Sequence, residues 1–435
     1  MNFRSFACLT VGLLSITLPS AQAWDYEAHR MINQIGLVGL PPEFPGFVRS
    51  PAAAERIAFL SGEPDRWRNT LDLPIKHYNG LDHYLDWEQL AAAGLSAKTI
   101  SPLRYEFAAA FAAGRAAHPK AMPVIDAAKN ADRSQEWPGF LPWAITEYYG
   151  KLTSAFSYLK AYQEFGTPTE VANAEANVLY LMGIMGHYVG DGAQPLHLTV
   201  HHNGWVGDNP RHYSTWTRIH AYIDGGFIAK VGIDTAVLAP RARPARVLFA
   251  PNDPCTRDPM FDATMAYLAT QHSRVVDLYE LDKARAFDPE QPTKAADGRA
   301  FIEEQLLRGG QMLADIWLTA WTNTTTDEYL KKQLLKRQAT APAAEPAITA
   351  PTDSAPTSAT PAANTSTAEP TSATREQPPS SAPSSAPSSA PSSAPSSAPS
   401  PAPSPAPEPP LAPAPAPPSA DTVPTSPAAP MATRH

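Results

Sequence analysis

The stretch Met185-Gly186-His187-Tyr188-Val189-Gly190-Asp191-Gly192-Ala193-Gln194-Pro195-Leu196-His197 closes a helical pattern that begins near Ala172. His187 and Asp191 stand four apart, so on a helix both project from one face, one turn above the other. An imidazole stacked over a carboxylate is a natural pair of metal ligands. Gly190, Gly192 and Pro195 predict the end of the helix and a turn, which brings His197 back toward the same point. A second H-x3-D pair follows at His220 and Asp224. One such pair is more often a hydrogen-bonded couple than a metal site; two of them with a returning histidine between them point to a metal cluster.

Helical periodicity also dominates the rest of the body. Arg104 to Ala117, Trp143 to Phe165, Met260 to Phe287 and Phe301 to Arg337 carry apolar residues at helical spacing, and few segments alternate with the period of two that a half-buried strand requires. The pattern predicts an all-α fold, a single compact multi-helix domain over residues 24–337. Pro41 to Pro45, Asn203 to Arg211 and Pro251 to Pro259 read as surface connections. Beyond Gln338 the composition changes: 26 of the chain's 48 prolines fall in the last 98 residues, and no aromatic residue follows Tyr329. Five consecutive Ser-Ser-Ala-Pro units from Ser380 to Pro399 favour extended, solvated chain, so residues 338–435 are expected to be a disordered tail.

The N-terminus reads as a secretory signal over residues 1–23, with Arg4, an apolar run from Cys8 to Leu18, and a small-x-small site at Ala21-Gln22-Ala23. That run is too short to span a bilayer, and no later stretch is long and apolar enough, so the expectation is an exported, periplasmic or extracellular protein without an integral membrane segment. Cys8 falls in the leader and Cys255 is alone, which leaves no intramolecular disulfide and puts stability on core packing or metal. The body carries 31 basic and 36 acidic residues, a net charge of −5 that argues against holding duplex nucleic acid on a broad basic surface.

Further candidate ligands lie upstream: His29, Asp65 in Glu63-Pro64-Asp65-Arg66-Trp67-Arg68, and His83 in Asp82-His83-Tyr84-Leu85-Asp86. Cleavage after Ala23 would free an α-amine on Trp24 with an ordinary pKa of about 8, able to bind metal with its own carbonyl. His77, His118, His201, His202, His212 and His272 read as structural or solvent-exposed. Imidazole and carboxylate without thiolate suit Zn²⁺.

In these residues the chain resembles the single-strand-specific zinc nucleases of fungi and plants, which share an all-α fold with bacterial zinc-dependent phospholipases C. The resemblance covers most of Trp24 to about Arg337. It implies three zinc ions: one on Asp65, His83, His187 and Asp191; a second on His197, His220 and Asp224; a third on the Trp24 amine and carbonyl, His29 and the shared Asp191. It further implies catalytic roles for Asp65, Asp86 near the attacking water and Arg68 facing the phosphate, with Tyr84 stacking a base. His77-Tyr78 echoes His83-Tyr84, but Asp86 completes the motif at His83.

The chain departs from that family at Gly225, where the nucleases usually carry Asn, and at Ile223, where they usually carry Trp; the cysteines of some eukaryotic members are absent. The activity implied is hydrolysis of single-stranded DNA or RNA, and of 3′-nucleotides, to 5′-phosphoryl products by a monomer. Zinc-dependent phospholipase C is the alternative, and a non-catalytic zinc-binding module the second.

Overall fold

The computed structural model describes residues 24–340 apart from Asn252 and Thr256. The expected signal at 1–23 and tail at 341–435 lie outside the described residues. Those described are mostly helical, with no strand among them. In chain order the helices are α1 (Tyr26–Gly39), α2 (Pro51–Leu60), α3 (Glu63–Arg68), α4 (Leu73–Gly80), α5 (Trp87–Ala92), α6 (Arg104–Ala117), α7 (Leu141–Phe165) and α8 (Pro168–Ala193). After them come α9 (Ile219–Ala221), α10 (Ile228–Val231), α11 (Thr235–Leu238), α12 (Pro259–His272), α13 (Val275–Lys283), α14 (Pro292–Asn323) and α15 (Glu328–Thr340). None of the described helices is long and apolar enough to cross a membrane.

Local chemistry sets many of these starts. Asp25, Ser50, Asp72 and Asp258 each accept a backbone N–H at the head of α1, α2, α4 and α12. Thr167 and Glu170 form a reciprocal capping box on α8, with Pro168 in its first turn. Two expected long helices are each divided. Met260 to Phe287 breaks between His272 and Val275, and the last pattern breaks after Asn323, where the Thr324 hydroxyl bonds Ala320 O and Lys160 reaches in to Trp321 O. Pro259 belongs to a helix, because Asp258 caps it. α15 runs to Thr340, past the boundary expected at Arg337.

α8 lies at the centre, packed against α7, α14, α2 and α1. Gly190 and Gly192 were expected to end it, yet the helix passes through both and stops at Gln194-Pro195. Their role is close approach. A Cβ on Gly190 would stand 2.9 Å from His29 Nδ1, and one on Gly186 would overlap Asn33 Oδ1. Asn33, wholly buried on α1, uses that space to donate to Ile57 O (2.8 Å) and Gly183 O (3.1 Å), tying α1 to both α2 and α8. The apolar faces of the same helices, with Ile32, Ile35, Val178, Met182, Leu313 and Trp317, close the core around them.

Gly186→Ala therefore expels the Asn33 amide from its seat. Overpacking and the loss of buried hydrogen bonds predict a destabilisation of at least about 2 kcal/mol, measured by denaturant unfolding; an unchanged midpoint would show that α1 and α8 are not held in this register.

Candidate metal centre

His187 and Asp191 are both fully buried at the C-terminal end of α8, with His187 Nε2 3.3 Å from Asp191 Oδ2. Three other elements converge on that carboxylate. His29 from α1 brings Nε2 to 3.4 Å from Asp191 Oδ1, its ring stacked on His187 at 3.9 Å between centroids. A 3₁₀ turn over Leu81–His83 places His83 Nδ1 3.0 Å from Asp191 Oδ2 and 2.9 Å from His187 Nε2. The 3₁₀ turn Pro195–Leu198, which follows the end of α8, returns His197 so that its Nδ1 lies 3.4 Å from Asp191 Oδ1.

Asp65 on α3 stands at the edge of this group, 3.9 Å from His187 Nε2 and paired with Arg68 Nε at 2.9 Å. His220 and Asp224 come from α9 and the π turn Tyr222–Phe227 that follows it, with Nε2 and Oδ2 3.1 Å apart. The His220 and His197 rings meet edge-on at 4.8 Å. Single π turns are frequent at functional sites.

Among the described residues, three sets of side chains could hold a metal ion: His29, His187 and Asp191; Asp65, His83 and His187; His197, His220 and Asp224, the ligand atoms of each within 4.8 Å of one another. The chain supplies a second layer of support. His187 Nδ1 lies 2.7 Å from Ser61 O and His197 Nδ1 lies 2.6 Å from His83 O. A carbonyl only accepts, so each Nδ1 carries the hydrogen and each Nε2 keeps its lone pair, the ligand form. Gln194 Nε2 donates to Asp224 Oδ1 at 2.5 Å, which leaves Oδ2 facing the centre.

Buried nitrogens without a hydrogen-bond partner then stand at His29, His83, His197 and His220. Such orphans are costly unless something else satisfies them, and a cation does. Burial pushes His29 down to about 4 and His83 down to about 3, and it lowers His197 and, more strongly, His220. Burial opposes charge on Asp191 too, yet His187 and His197 outweigh it and hold its carboxyl well below the ordinary range. Asp224 moves the other way, raised by burial. The imidazoles that burial keeps neutral, His29, His83, His197 and His220, present free lone pairs beside the ionised Asp191, which suits divalent cations.

Trp24 is wholly buried, and its indole Nε1 donates to Gly190 O at 2.9 Å, one residue from Asp191; the next residue's amide, Asp25 N, bonds Asp224 O at 3.3 Å. Asp25 also explains the departure at position 225, because its carboxylate occupies the volume a Cβ on Gly225 would need. His77 stands apart, partly exposed, with Nδ1 2.7 Å from Asp132 O.

A cleft of about 790 Å³ opens beside this centre, lined by His197 and His220 together with Arg68, Tyr84 and Asp86. Asp86 is buried and accepts from Gln89 Nε2 at 2.7 Å; burial, only partly offset by His202 and Gln89, pushes its carboxyl up to about 6. His202, read from the sequence as structural or exposed, lines this cleft 3.9 Å from Asp86 and 6.2 Å from the His220 ring centroid. Its loop is clamped by Glu88, which accepts from Thr199 Oγ1 (2.7 Å), Val200 N (3.0 Å) and His272 Nε2 (3.1 Å). Neither Glu88 nor Gln194 carries a sequence signal beyond being polar near the ligand motifs.

Glu88 gives a pH test. Burial alone would raise its pKa, but the bonds from His272, Thr199 and Val200 outweigh it and hold it at about 2. A depressed carboxyl stabilises fully above its ordinary value of 4.5, and that contribution is lost as pH falls through about 2. Because the side chain is 36% exposed, the contribution is discounted to about 1–2 kcal/mol. The stability gap between the native chain and Glu88→Gln should be full at pH 6 and shrink below pH 4 in denaturant titrations; a gap independent of pH would remove the clamp. Set beside known proteins, the chain matches no family model and no curated protein.

Proposed function

We propose that the chain is a zinc-dependent phosphodiesterase of the single-strand-specific nuclease type, with up to three zinc ions on Asp65, His83, His187 and Asp191, on His197, His220 and Asp224, and on His29, Asp191 and the Trp24 terminus. The observation that carries this reading is the buried Asp191 carboxylate, within 3.4 Å of His29, His83, His187 and His197, beside a cleft that His197 shares with Arg68 and Asp86. Zinc in such a centre acidifies water toward neutral pH and offsets phosphoryl charge.

The chain's own groups divide the remaining work. Arg68, anchored on Asp65, offers a guanidinium to a phosphoryl oxygen from the cleft wall. Asp86, with its pKa lifted to about 6, is poised to take a proton from water near neutrality and return it to the leaving oxygen. Tyr84, partly buried on the same wall, offers a ring to an unpaired base, a contact of about 1–3 kcal/mol that a base inside a duplex cannot make.

A second reading, zinc-dependent phospholipase C, draws on the apolar part of the cleft, where Met122, Pro123, Val124, Trp137 and Val206 could receive hydrocarbon. One assay separates the two. Purified protein is offered single-stranded DNA, RNA and phosphatidylcholine, with and without chelator. Chelator-sensitive cleavage of the nucleic acids is expected. Cleavage of lipid alone would overturn the nuclease reading, and turnover of none would favour a zinc-binding module without catalysis.

Three substitutions follow. Asp86→Asn should lower kcat by about 10²–10⁴ with zinc content intact, and the native acidic limb of kcat/KM, rising through a pKa of about 6, should disappear; an unchanged profile removes Asp86 from proton transfer. Asp224→Ala should cost one zinc by native mass spectrometry, and Asp191→Ala more than one. Equal losses would show that Asp191 does not bridge.

A further inference from the structure

We infer that a single-stranded substrate is held in this cleft through one phosphate only, the one being cleaved, so that the enzyme treats a dinucleotide and a long strand alike, bond for bond. The inference rests on the phosphodiesterase reading. It comes from the distribution of charge. Among the described residues lining the cleft, Arg68 is the single arginine and there is no lysine. Its guanidinium is shared with Asp65 at 2.9 Å. Asp86 and Glu88 line the same cleft, and Glu88 is held ionised by its three donors.

The rest of the wall mixes uncharged polar side chains such as Gln135 and Asn203 with apolar ones open to water: Val124 is 96% exposed and Val206 51%. Cations adjacent in sequence do not change this. Arg133, next to the lining residue Ser134, is tied to Glu136, while Lys120 and Arg218 are exposed and outside the lining. A strand leaving the centre would carry its second and third phosphates past carboxylates, hydrocarbon and the side chains of Gln135, His202 and Asn203, with no further arginine or lysine among the described lining residues. Three zinc ions would bring the body from −5 to about +1, but that positive charge sits at the centre that takes the scissile phosphate and not along the rim. The substrate class that fits is one phosphodiester flanked by neutral, flat groups, as in a dinucleotide or the end of a partly degraded strand.

Counterion release makes this measurable. For single strands each phosphate contact adds about 0.7 to the slope of log affinity against log salt. One contact then predicts a fall in kcat/KM of about 2.5-fold between about 50 and about 200 mM salt, whereas three contacts predict nearly twentyfold. The experiment compares kcat/KM per scissile bond for a thymidine dinucleotide and a thymidine strand of about twenty residues, with the zinc-loaded full chain at both salt concentrations. The expected result is agreement between the substrates within about threefold and the shallow salt dependence for both. A strand favoured by more than about tenfold, with a salt loss of similar size, overturns the inference while leaving the nuclease reading standing. No turnover of either substrate overturns both.

Variants sharpen the test. Lys120→Gln and Arg218→Gln should leave the strand-to-dinucleotide ratio within about twofold; a collapse of that ratio would place further phosphate contacts on those residues, against the inference. Val124→Lys puts a cation on the apolar rim and should raise the ratio and roughly double the strand's salt slope. If it moves neither, the strand does not pass over that rim and the inference fails.

Discussion

Asp191 is a carboxylate without access to water, contacted by imidazoles from α1, α8 and two separate 3₁₀ turns. Burying one charge in this way is affordable only when several groups answer it at once. Each of those groups must therefore be delivered by its own element to within a few tenths of an ångström. The small residues on α8 let α1 come close enough, the capped starts of α1 and α8 set where their histidines fall, and Pro195 stops α8 one turn before His197 so that the chain folds back.

The centre and the cleft share parts, which ties their properties together. His197 and His220 belong to both, and Arg68 and Asp65 form a pair whose acid faces the centre while its base lines the cleft. Groups behind the ligand atoms hold the members of the centre still: Ser61 O orients His187, the backbone carbonyl of His83 orients His197, and Gln194 turns Asp224. Supporting partners of this kind restrict ring orientation and tautomer, which is what a metal ligand requires. Glu88 does the equivalent for the loop that carries His202 into the cleft.

Much of this was legible in the residues, because helix periodicity, caps and ligand spacing are local properties. The helix over Arg104–Ala117 begins and ends where the pattern says, and the His187, Asp191 and His197 spacing marks the centre. Divided helices were less legible. An apolar period persists across a break such as Ser273-Arg274, since both halves bury the same kind of face. The reading of Gly190 as a helix stop missed because glycine serves two purposes, and only the position of His29 decides which one applies here.

By itself the sequence determined the helical class, the candidate ligands and the absence of any thiolate among them. Which of those ligands meet was decided by tertiary structure: the bond from His187 to Ser61 O spans 126 positions and the contact from His83 to Asp191 spans 108. Tertiary structure likewise set His77 apart, as the sequence's preference for His83 expected, seated Asp25 over Gly225, and left a single guanidinium among the described residues lining the cleft. Spacing along a helix fixes which side chains share a face. Distances between elements come only from how close their backbones pack, and here that closeness is set by side chains as small as a hydrogen atom.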